Sequence, residues 1–192
     1  MHRRKVQKII GLVAGVLSCL LWALPALAKS YKISVDESTV DFRQDHEIGF
    51  TSGWLLIADG TIDEDGGKLK NVHVVLDAQS ITTHNEDRDL VVHSPEFFDT
   101  QAFPKITFTV KDIKDTSLTA EVTIKGVKKS VPFTYRYWGV SQTKEGKEQV
   151  IVSLHGTLNK KDFKLEYNVT DENGNPLLGD DLQILMHLVA TE

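Results

Sequence analysis

The sequence is poor in cysteine and proline. Its single cysteine, Cys19, lies in an apolar stretch near the N-terminus, so the body of the chain can form no disulfide framework, no cysteine-based zinc site and no cysteine nucleophile. Five prolines and 13 glycines among 192 residues exclude collagen-like and low-complexity chains. At this length, and with 41% hydrophobic and 26% charged residues, a single globular domain is expected.

One long apolar run covers residues 9–24. It follows four basic residues and is followed by Pro25 and an Ala-Leu-Ala end. This three-zone pattern predicts a secretory signal peptide over residues 1–28, cleaved after Ala28, and therefore a periplasmic or secreted protein. A membrane anchor is the alternative, although the run is shorter than the roughly 20 residues that a spanning helix needs.

Basic residues are scarce beyond this leader. The leader holds four of the 22 Lys and Arg residues and none of the 27 Asp and Glu residues, so residues 29–192 carry 18 basic against 27 acidic side chains, a net charge of −9. A chain of that sign has no basic stripe for phosphates, so nucleic acid is not an expected partner.

Period-two alternation of apolar residues dominates the rest of the chain and predicts strands with one buried face. Short turn-forming stretches such as 63–67, 125–128 and 171–176 separate these segments, so neighbouring strands are expected to pair antiparallel. About eight strands of this kind predict an all-β domain over residues 29–192, either a barrel or a sandwich. The clearest alternating segments are 72–78, 106–110, 118–124, 131–137, 150–154 and 182–190, and weaker ones are 31–35, 39–42 and 54–62.

One long stretch, residues 80–104, does not alternate, and we call it the lid segment. Thr83 and Glu86 have the spacing of a capping box, and Ser94 before Pro95 has the form of a second helix start. Two short helical turns are therefore expected in it. A long excursion inside a compact β domain is usually functional, and a lid or plug is the interpretation favoured here. Its apolar residues, expected to turn inward, are Leu90, Val91, Val92, Phe97, Phe98 and Phe103.

Several motifs occur in an order that resembles the YceI-like family of polyisoprenoid-binding proteins. They are NEDRD at 85–89, SPEFFD at 94–99, FPKITF at 103–108, IKGVK at 124–128 and NKKDF at 159–163. The resemblance covers nearly all of residues 31–192. Two positions depart from the family pattern, because Lys160 stands where an Arg is usual and Lys164 where a Gly is usual.

The resemblance implies an exported, lipocalin-like, up-and-down antiparallel barrel with one or two short helices in the lid segment. Its interior would hold, without a covalent bond, a polyprenyl chain, a quinone or a fatty amide or acid, and no cofactor or metal is expected. Seven aromatic residues are expected along the ligand chain and three polar residues at the gate. They are Phe42, Phe97, Phe98, Phe108, Phe133, Tyr135 and Phe163, and His46, Asn85 and Arg88.

Alternatives to a lipid carrier stay open at this level. The same aromatic residues could fill the barrel completely, which would make the protein a structural or stress-related interaction module. An enzyme acting on a lipid head group, with His46 or His93 as its base, is less favoured because no catalytic spacing stands out. Arg88 could bind a phosphate head group or clamp the lid segment through a carboxylate. A homodimer and a membrane-associated donor or acceptor are also open as partners.

Overall fold

The computed structural model describes residues 28–192, so residues 1–27 of the predicted leader lie outside the described part. Within that part the chain forms ten antiparallel strands, one α-helix and two 3₁₀ turns, at Ala78–Ser80 and Lys160–Phe163. The all-β prediction is confirmed. The strands are β1 Lys29–Ile33, β2 Thr39–His46, β3 Gly49–Trp54, β4 Ile57–Asp65, β5 Lys68–Asp77, β6 Lys105–Lys114, β7 Ser117–Ile124, β8 Val127–Gln142, β9 Glu148–Asn159 and β10 Leu178–Thr191, and the helix α1 is Glu86–His93.

Eight strands close into a ring, in the order β1-β4-β5-β6-β7-β8-β9-β10 and back to β1. The hairpin β2–β3 is added where β10 extends beyond β1, because Ala190 pairs with Ile33 in β1 while His187 pairs with Thr39 in β2. β1 and β2 therefore act as one interrupted strand along β10. The predicted eight-stranded antiparallel barrel is confirmed.

The lid segment completes the wall beside β3. β5 pairs with β4 but not with β3, and the backbone of Trp54 at the end of β3 instead exchanges two hydrogen bonds of 3.1 Å with Thr82. The Cβ of any residue other than glycine at position 53 would lie 2.1 Å from the Thr82 carbonyl oxygen. Gly53 thus lets the lid segment approach the hairpin closely, and this part of the barrel is called the lid end.

The opposite end of the barrel is filled by its own side chains. Tyr31, Ile62, Val72 and Val152 are fully buried there, as the strand alternation predicts. The Tyr31 hydroxyl donates a 2.8 Å hydrogen bond to Glu148, and burial together with this bond raises the pKa of Tyr31 to about 12. The contact joins β1 to β9 across β10.

The lid segment contains one helix, within the one or two expected, and residues 95–98 form hydrogen-bonded turns in place of a second helix. The side chain of Asn85, not Thr83, caps α1 by accepting a 2.9 Å hydrogen bond from the Arg88 backbone N–H. Ser94 closes the helix instead of starting another one, because its hydroxyl donates to the Val91 carbonyl (2.8 Å) and turns follow. No helix within residues 28–192 is long and apolar enough to cross a membrane.

Candidate ligand-binding site

A cavity of about 420 Å³ occupies the lid end of the barrel. Its volume is within the range of small-molecule sites, about 300–1,000 Å³. The cavity does not run the whole length of the barrel, because the opposite end is packed. Its barrel wall consists almost entirely of apolar side chains, which are Val40, Phe42, Leu55, Leu76, Ile81, Ile106, Phe108, Val122, Ile124, Phe133, Leu158, Leu178, Leu182, Ile184 and Met186.

Two aromatic rings form the inner end of the cavity. Phe108 of β6 and Phe133 of β8 meet edge to face, with 5.1 Å between ring centroids and 87° between ring planes. The ring of Phe133 lies over Gly156 of β9, where a Cβ would come within 2.4 Å of it. The missing side chain at Gly156 therefore decides where the Phe133 ring lies and how deep the cavity reaches.

The lid segment closes the cavity from one side with apolar residues. Val91 and Val92 of α1 line it, as do Phe97 and Phe98, whose rings pack edge to face at 4.8 Å. Leu90 does not turn inward as expected, because helical periodicity places it on the opposite face, where 73% of it is exposed.

A hydrogen-bonded network holds the start of α1 against the preceding chain. The Arg88 Nε donates to the Thr83 hydroxyl and its Nη2 to the Thr83 carbonyl, both at 2.8 Å. The Thr83 hydroxyl and N–H in turn donate to the Asp89 carboxylate, which also accepts from the Thr82 hydroxyl (2.8 Å). Burial raises the pKa of Asp89, but the hydrogen bonds from Thr83 and Thr82 outweigh it, so the pKa of Asp89 is lowered from its ordinary value.

Arg88 thus acts within the lid segment. Within residues 28–192 it forms no ion pair with a carboxylate, so the clamp through a carboxylate that the sequence suggested is replaced by bonds to Thr83. Its side chain also lines the cavity beside Asn85 and Asp87. We call the part of the cavity wall formed by Asn85, Asp87 and Arg88 the gate, and it carries one amide, one negative charge and one positive charge.

A loop after β9 supports the lid segment from the other side. Tyr167 lines the cavity and packs on Phe97 at 5.9 Å between ring centroids. Its carbonyl accepts a 3.1 Å hydrogen bond from the fully buried Lys160, and burial lowers the pKa of Lys160. The loop begins at Lys164, which has left-handed backbone angles (φ 58°, ψ 33°).

The structure brings seven of the ten predicted site residues to the cavity. They are Phe42, Asn85, Arg88, Phe97, Phe98, Phe108 and Phe133. Three others do not line it. Phe163 is buried in a 3₁₀ turn, His46 lies at the far end of β2 opposite Gly49, and Tyr135 lies further along β8.

Tyr135 instead lines a second, more polar surface cavity of about 820 Å³, which is open to solvent at the rim formed by the β4–β5 and β6–β7 turns. The strand alternation predicts which side of the sheet a residue faces but not how far along the barrel it lies. Lysines and aspartates from the β4–β5 and β6–β7 turns surround this space, for example Lys68, Lys114 and Asp115.

The sequence analysis missed Thr83, Asp87 and Tyr167, and also the two polar residues on the strands that line the cavity, Gln44 and Thr51. Gln44 is two residues beyond Phe42 on the same strand, so the period-two pattern already places both on the inward face. Its polarity hid it, because an inward-facing position is usually expected to be apolar. Gln44 and Thr51 lie directly opposite each other in the β2–β3 pair.

The histidines give the enzyme alternative no support. His93 Nδ1 forms a 3.1 Å hydrogen bond with the Thr100 hydroxyl, and His46 is absent from the cavity wall. Within residues 28–192 neither histidine is hydrogen-bonded to a carboxylate, the arrangement that a general base needs for orientation. In the same part of the chain no three His, Cys, Asp or Glu side chains come together in a group that could hold a metal ion.

Comparison with known proteins identifies relatives of this barrel. The YceI-like domain family matches residues 31–190. UPF0312 protein SAS2572 of Staphylococcus aureus strain MSSA476 is 34% identical over 105 residues, which is 54% of this chain and 61% of that protein. The match thus spans about three fifths of this curated relative's length.

Solved structures share the fold. The YCEI protein of Campylobacter jejuni is 28% identical with a TM-score of 0.60, covering 69% of this chain and 80% of that one. Burkholderia cenocepacia BcnA is 20% identical with a TM-score of 0.65, covering 83% of this chain and 99% of BcnA. A polyisoprenoid binding domain from Saccharophagus degradans is 14% identical with a TM-score of 0.62, covering 84% and 97%.

The last two likenesses show a common fold alone. The family match covers nearly all of the described barrel, including the strands and the lid segment that form the cavity. The chain therefore belongs to the YceI-like domain family.

Proposed function

We propose that the protein is a non-catalytic carrier or store for a long-chain isoprenoid or another amphiphilic lipid, such as a prenyl quinone or a fatty amide or acid. The observation that carries this proposal is the cavity of about 420 Å³ with an almost wholly apolar wall. An apolar wall offers water few hydrogen-bond partners, so an apolar molecule can occupy such a cavity in place of water. The polyisoprenoid binding domain of Saccharophagus degradans, which shares the fold, supports the choice of ligand class.

The energetics of burial allow useful affinity. Each buried carbon contributes about 0.8 kcal/mol, so one five-carbon isoprene unit is worth up to about 4 kcal/mol before the cost of ordering the chain. Two or three buried units are therefore enough for a dissociation constant of about 1 μM, which corresponds to about 8 kcal/mol.

The polarity of the wall orients the ligand. The inner end is apolar, formed by Phe108 and Phe133, whereas polar atoms are found at the gate, on Asn85, Asp87 and Arg88. A chain with a polar head is thus expected to lie tail inward. The head then lies at the polar part of the cavity wall, where hydrogen-bond partners offset the loss of its hydration.

Exchange of ligand with a membrane-associated donor or acceptor is part of this proposal. Two large apolar side chains protrude into solvent from segments whose inner residues line the cavity, Ile48 at the β2–β3 turn and Leu90 on α1, with exposed fractions of 93% and 73%. We infer that these two side chains contribute to an apolar contact patch, the kind of surface that marks a membrane interaction site. The predicted signal peptide supports action outside the cytoplasmic membrane.

The test fills the cavity without adding charge. Met186 of β10 lines the cavity, while the preceding residue, Leu185, points outward with 49% of it exposed. Met186→Trp should occupy the ligand space, and Leu185→Trp adds the same ring outside. Native mass spectrometry of purified protein, followed by titration of delipidated protein with a prenyl quinone and with oleamide, measures the bound ligand.

The wild type and Leu185→Trp are expected to carry extractable lipid or to take up a probe, and Met186→Trp is expected to lose at least about tenfold in affinity, as overlap with a packed chain predicts. Empty wild-type protein that binds neither probe contradicts the proposed function. Equal binding by both tryptophan variants contradicts the assignment of the site to this cavity.

A further inference from the structure

One polar side chain interrupts the apolar inner face of β2. Val40, Phe42 and Gln44 follow each other on that face and all line the cavity. Gln44 is itself buried, with an exposed fraction of 7%. A buried amide is costly unless its nitrogen and its oxygen both find partners.

A bulge in β10 fixes the orientation of the Gln44 amide. The pairing of β10 with β2 shifts register between Leu178 and Leu182, and the Gly179 carbonyl inside this shift accepts a 2.8 Å hydrogen bond from Gln44 Nε2. Because a carbonyl can only accept, the nitrogen must lie on that side and Oε1 on the other. Within residues 28–192 the hydrogen bonds of this side chain use Nε2 alone, which leaves Oε1 as an acceptor at the cavity wall.

A hydroxyl group stands next to this acceptor. Thr51 of β3 is directly opposite Gln44 in the strand pair, where side chains are about 5 Å apart, and it also lines the cavity. A threonine hydroxyl can both donate and accept. The pair therefore suits a ligand group that donates one hydrogen bond to Gln44 Oε1 and accepts one from Thr51.

We propose that Gln44 and Thr51 form a head-group subsite that selects an uncharged hydrogen-bond donor, an alcohol or a primary amide, at the end of a long apolar chain. This inference rests on the proposed function, because it assigns the head group of the same ligand. A carboxylate is disfavoured, since it has no hydrogen to donate and loses its hydration next to the Gln44 acceptor. An ether or ester of equal length leaves Oε1 without a partner.

Three probes with the same chain separate these cases: geranylgeraniol, its methyl ether and geranylgeranoic acid. Their dissociation constants are measured at neutral pH by displacement of a fluorescent fatty-chain probe from delipidated protein. The alcohol is expected to bind about five- to tenfold more tightly than the ether, the value of one hydrogen bond to a buried acceptor, and also more tightly than the acid.

Variants assign this selectivity to the subsite. Gln44→Leu should reduce the alcohol-to-ether ratio below about twofold while the ether still binds, because only the hydrogen bond is lost. Thr51→Val should weaken the alcohol and the ether alike, by about five- to tenfold, because both oxygens can accept from the Thr51 hydroxyl. This variant does not depend on the folding of Gln44→Leu. Gln183→Leu is the matched control, since Gln183 bonds Asp45 on the exposed side of the sheet, and it should keep the full ratio.

The outcomes separate the two proposals. If the wild type binds alcohol and ether equally, or the acid more tightly than the alcohol, the subsite assignment is overturned while the cavity remains a lipid site. Retention of the ratio in Gln44→Leu, or unchanged binding of both alcohol and ether in Thr51→Val, overturns it as well. If none of the three chains binds, the proposed function itself fails and the subsite with it.

Discussion

Asp89→Asn tests how the lid segment is held over the cavity. The Asp89 carboxylate accepts hydrogen bonds from the Thr82 hydroxyl and from the hydroxyl and N–H of Thr83, while Arg88 bonds the same Thr83 hydroxyl. The substitution keeps the shape of the side chain and removes its charge. The amide nitrogen that Asp89→Asn introduces can only donate, so a threonine hydroxyl that donated to the carboxylate must rotate its hydrogen away and accept instead.

The expected cost follows from these three bonds. A hydrogen bond to a charged group contributes about 1.5–3 kcal/mol and a neutral one about 0.5–1.5, so the loss is about 1 kcal/mol per bond. Partial exposure of the site reduces the total to about 2 kcal/mol. Because the bonds lie inside the lid segment, their loss should lower the free energy of local opening of this segment. A decrease of about 2 kcal/mol corresponds to about thirtyfold faster amide exchange in α1.

Hydrogen exchange of the peptide covering α1, measured by mass spectrometry, gives this opening free energy. Asp87→Asn is the matched control, since Asp87 is exposed in the first turn of the same helix and its carboxylate has no hydrogen bond within residues 28–192. It should change the opening free energy by less than about 0.5 kcal/mol, the part owed to the helix dipole. Equal amide exchange rates in the two variants would refute the role of the Asp89 carboxylate in holding the lid segment closed.

The contribution of Asp89 to the stability of the lid segment depends on pH with a defined sign. The pKa of Asp89 is lowered in the folded protein, so its ionised form stabilises the lid segment above the ordinary carboxyl pKa, and this contribution is lost as the pH falls through the lowered value. The difference between wild type and Asp89→Asn should therefore be full at neutral pH and shrink below about pH 4. A difference that is constant over this range contradicts the assignment to the charge.

Further predictions concern the loop after β9 and the inner end of the cavity. Lys164→Gly should raise the free energy of unfolding by about 0.5–1 kcal/mol in urea titrations, because a lysine with φ 58° is strained, and no gain would contradict this. Gly156→Ala should cost about 2 kcal/mol and weaken lipid binding, since its Cβ meets the Phe133 ring at 2.4 Å; unchanged binding would show that the ring does not set the depth. Burial lowers the pKa of Lys160 in the folded protein from its ordinary 10.5, so at alkaline pH the unfolded chain binds more protons than the folded one. The free energy of unfolding of the wild type, relative to that of Lys160→Met, should therefore rise with alkaline pH. A difference between the two that does not change with pH would contradict this.

The strands could be predicted because their signal is local, whereas the choice of a barrel over a sandwich came from the resemblance to the YceI-like family. Alternation in segments such as 106–110 and 118–124 places one apolar face inward whatever the rest of the chain does. The interruption between β1 and β2 agrees with the separate segments 31–35 and 39–42, but their shared pairing with β10 could not be predicted. That pairing is a long-range property that no local pattern carries.

The cavity was predictable in part. Phe108 and Phe133 line it as the pattern suggested, whereas Tyr135, two residues beyond Phe133 on the same face, lies at the other cavity. Side-chain direction follows from the sequence, but height along the barrel depends on strand register. Gln44 was missed for a different reason, because a polar residue facing inward becomes meaningful only when its partner, the Gly179 carbonyl, is seen.

The lid segment shows how neighbouring signals compete. Thr83 and Asn85 are both good helix caps, and the sequence favours Thr83 because Glu86 completes a capping box. In the structure Thr83 serves Asp89 and Arg88, so Asn85 takes the cap. The three-dimensional contacts of one hydroxyl decide where the helix begins.

The most direct test of a hollow lid end is an experimental density map of the delipidated protein saturated with geranylgeraniol. We expect elongated density that starts at the Phe108 and Phe133 rings and ends with the oxygen of geranylgeraniol beside Gln44, under a closed lid segment. Side chains of the wall collapsed into the same space, with no density for the chain, would contradict it.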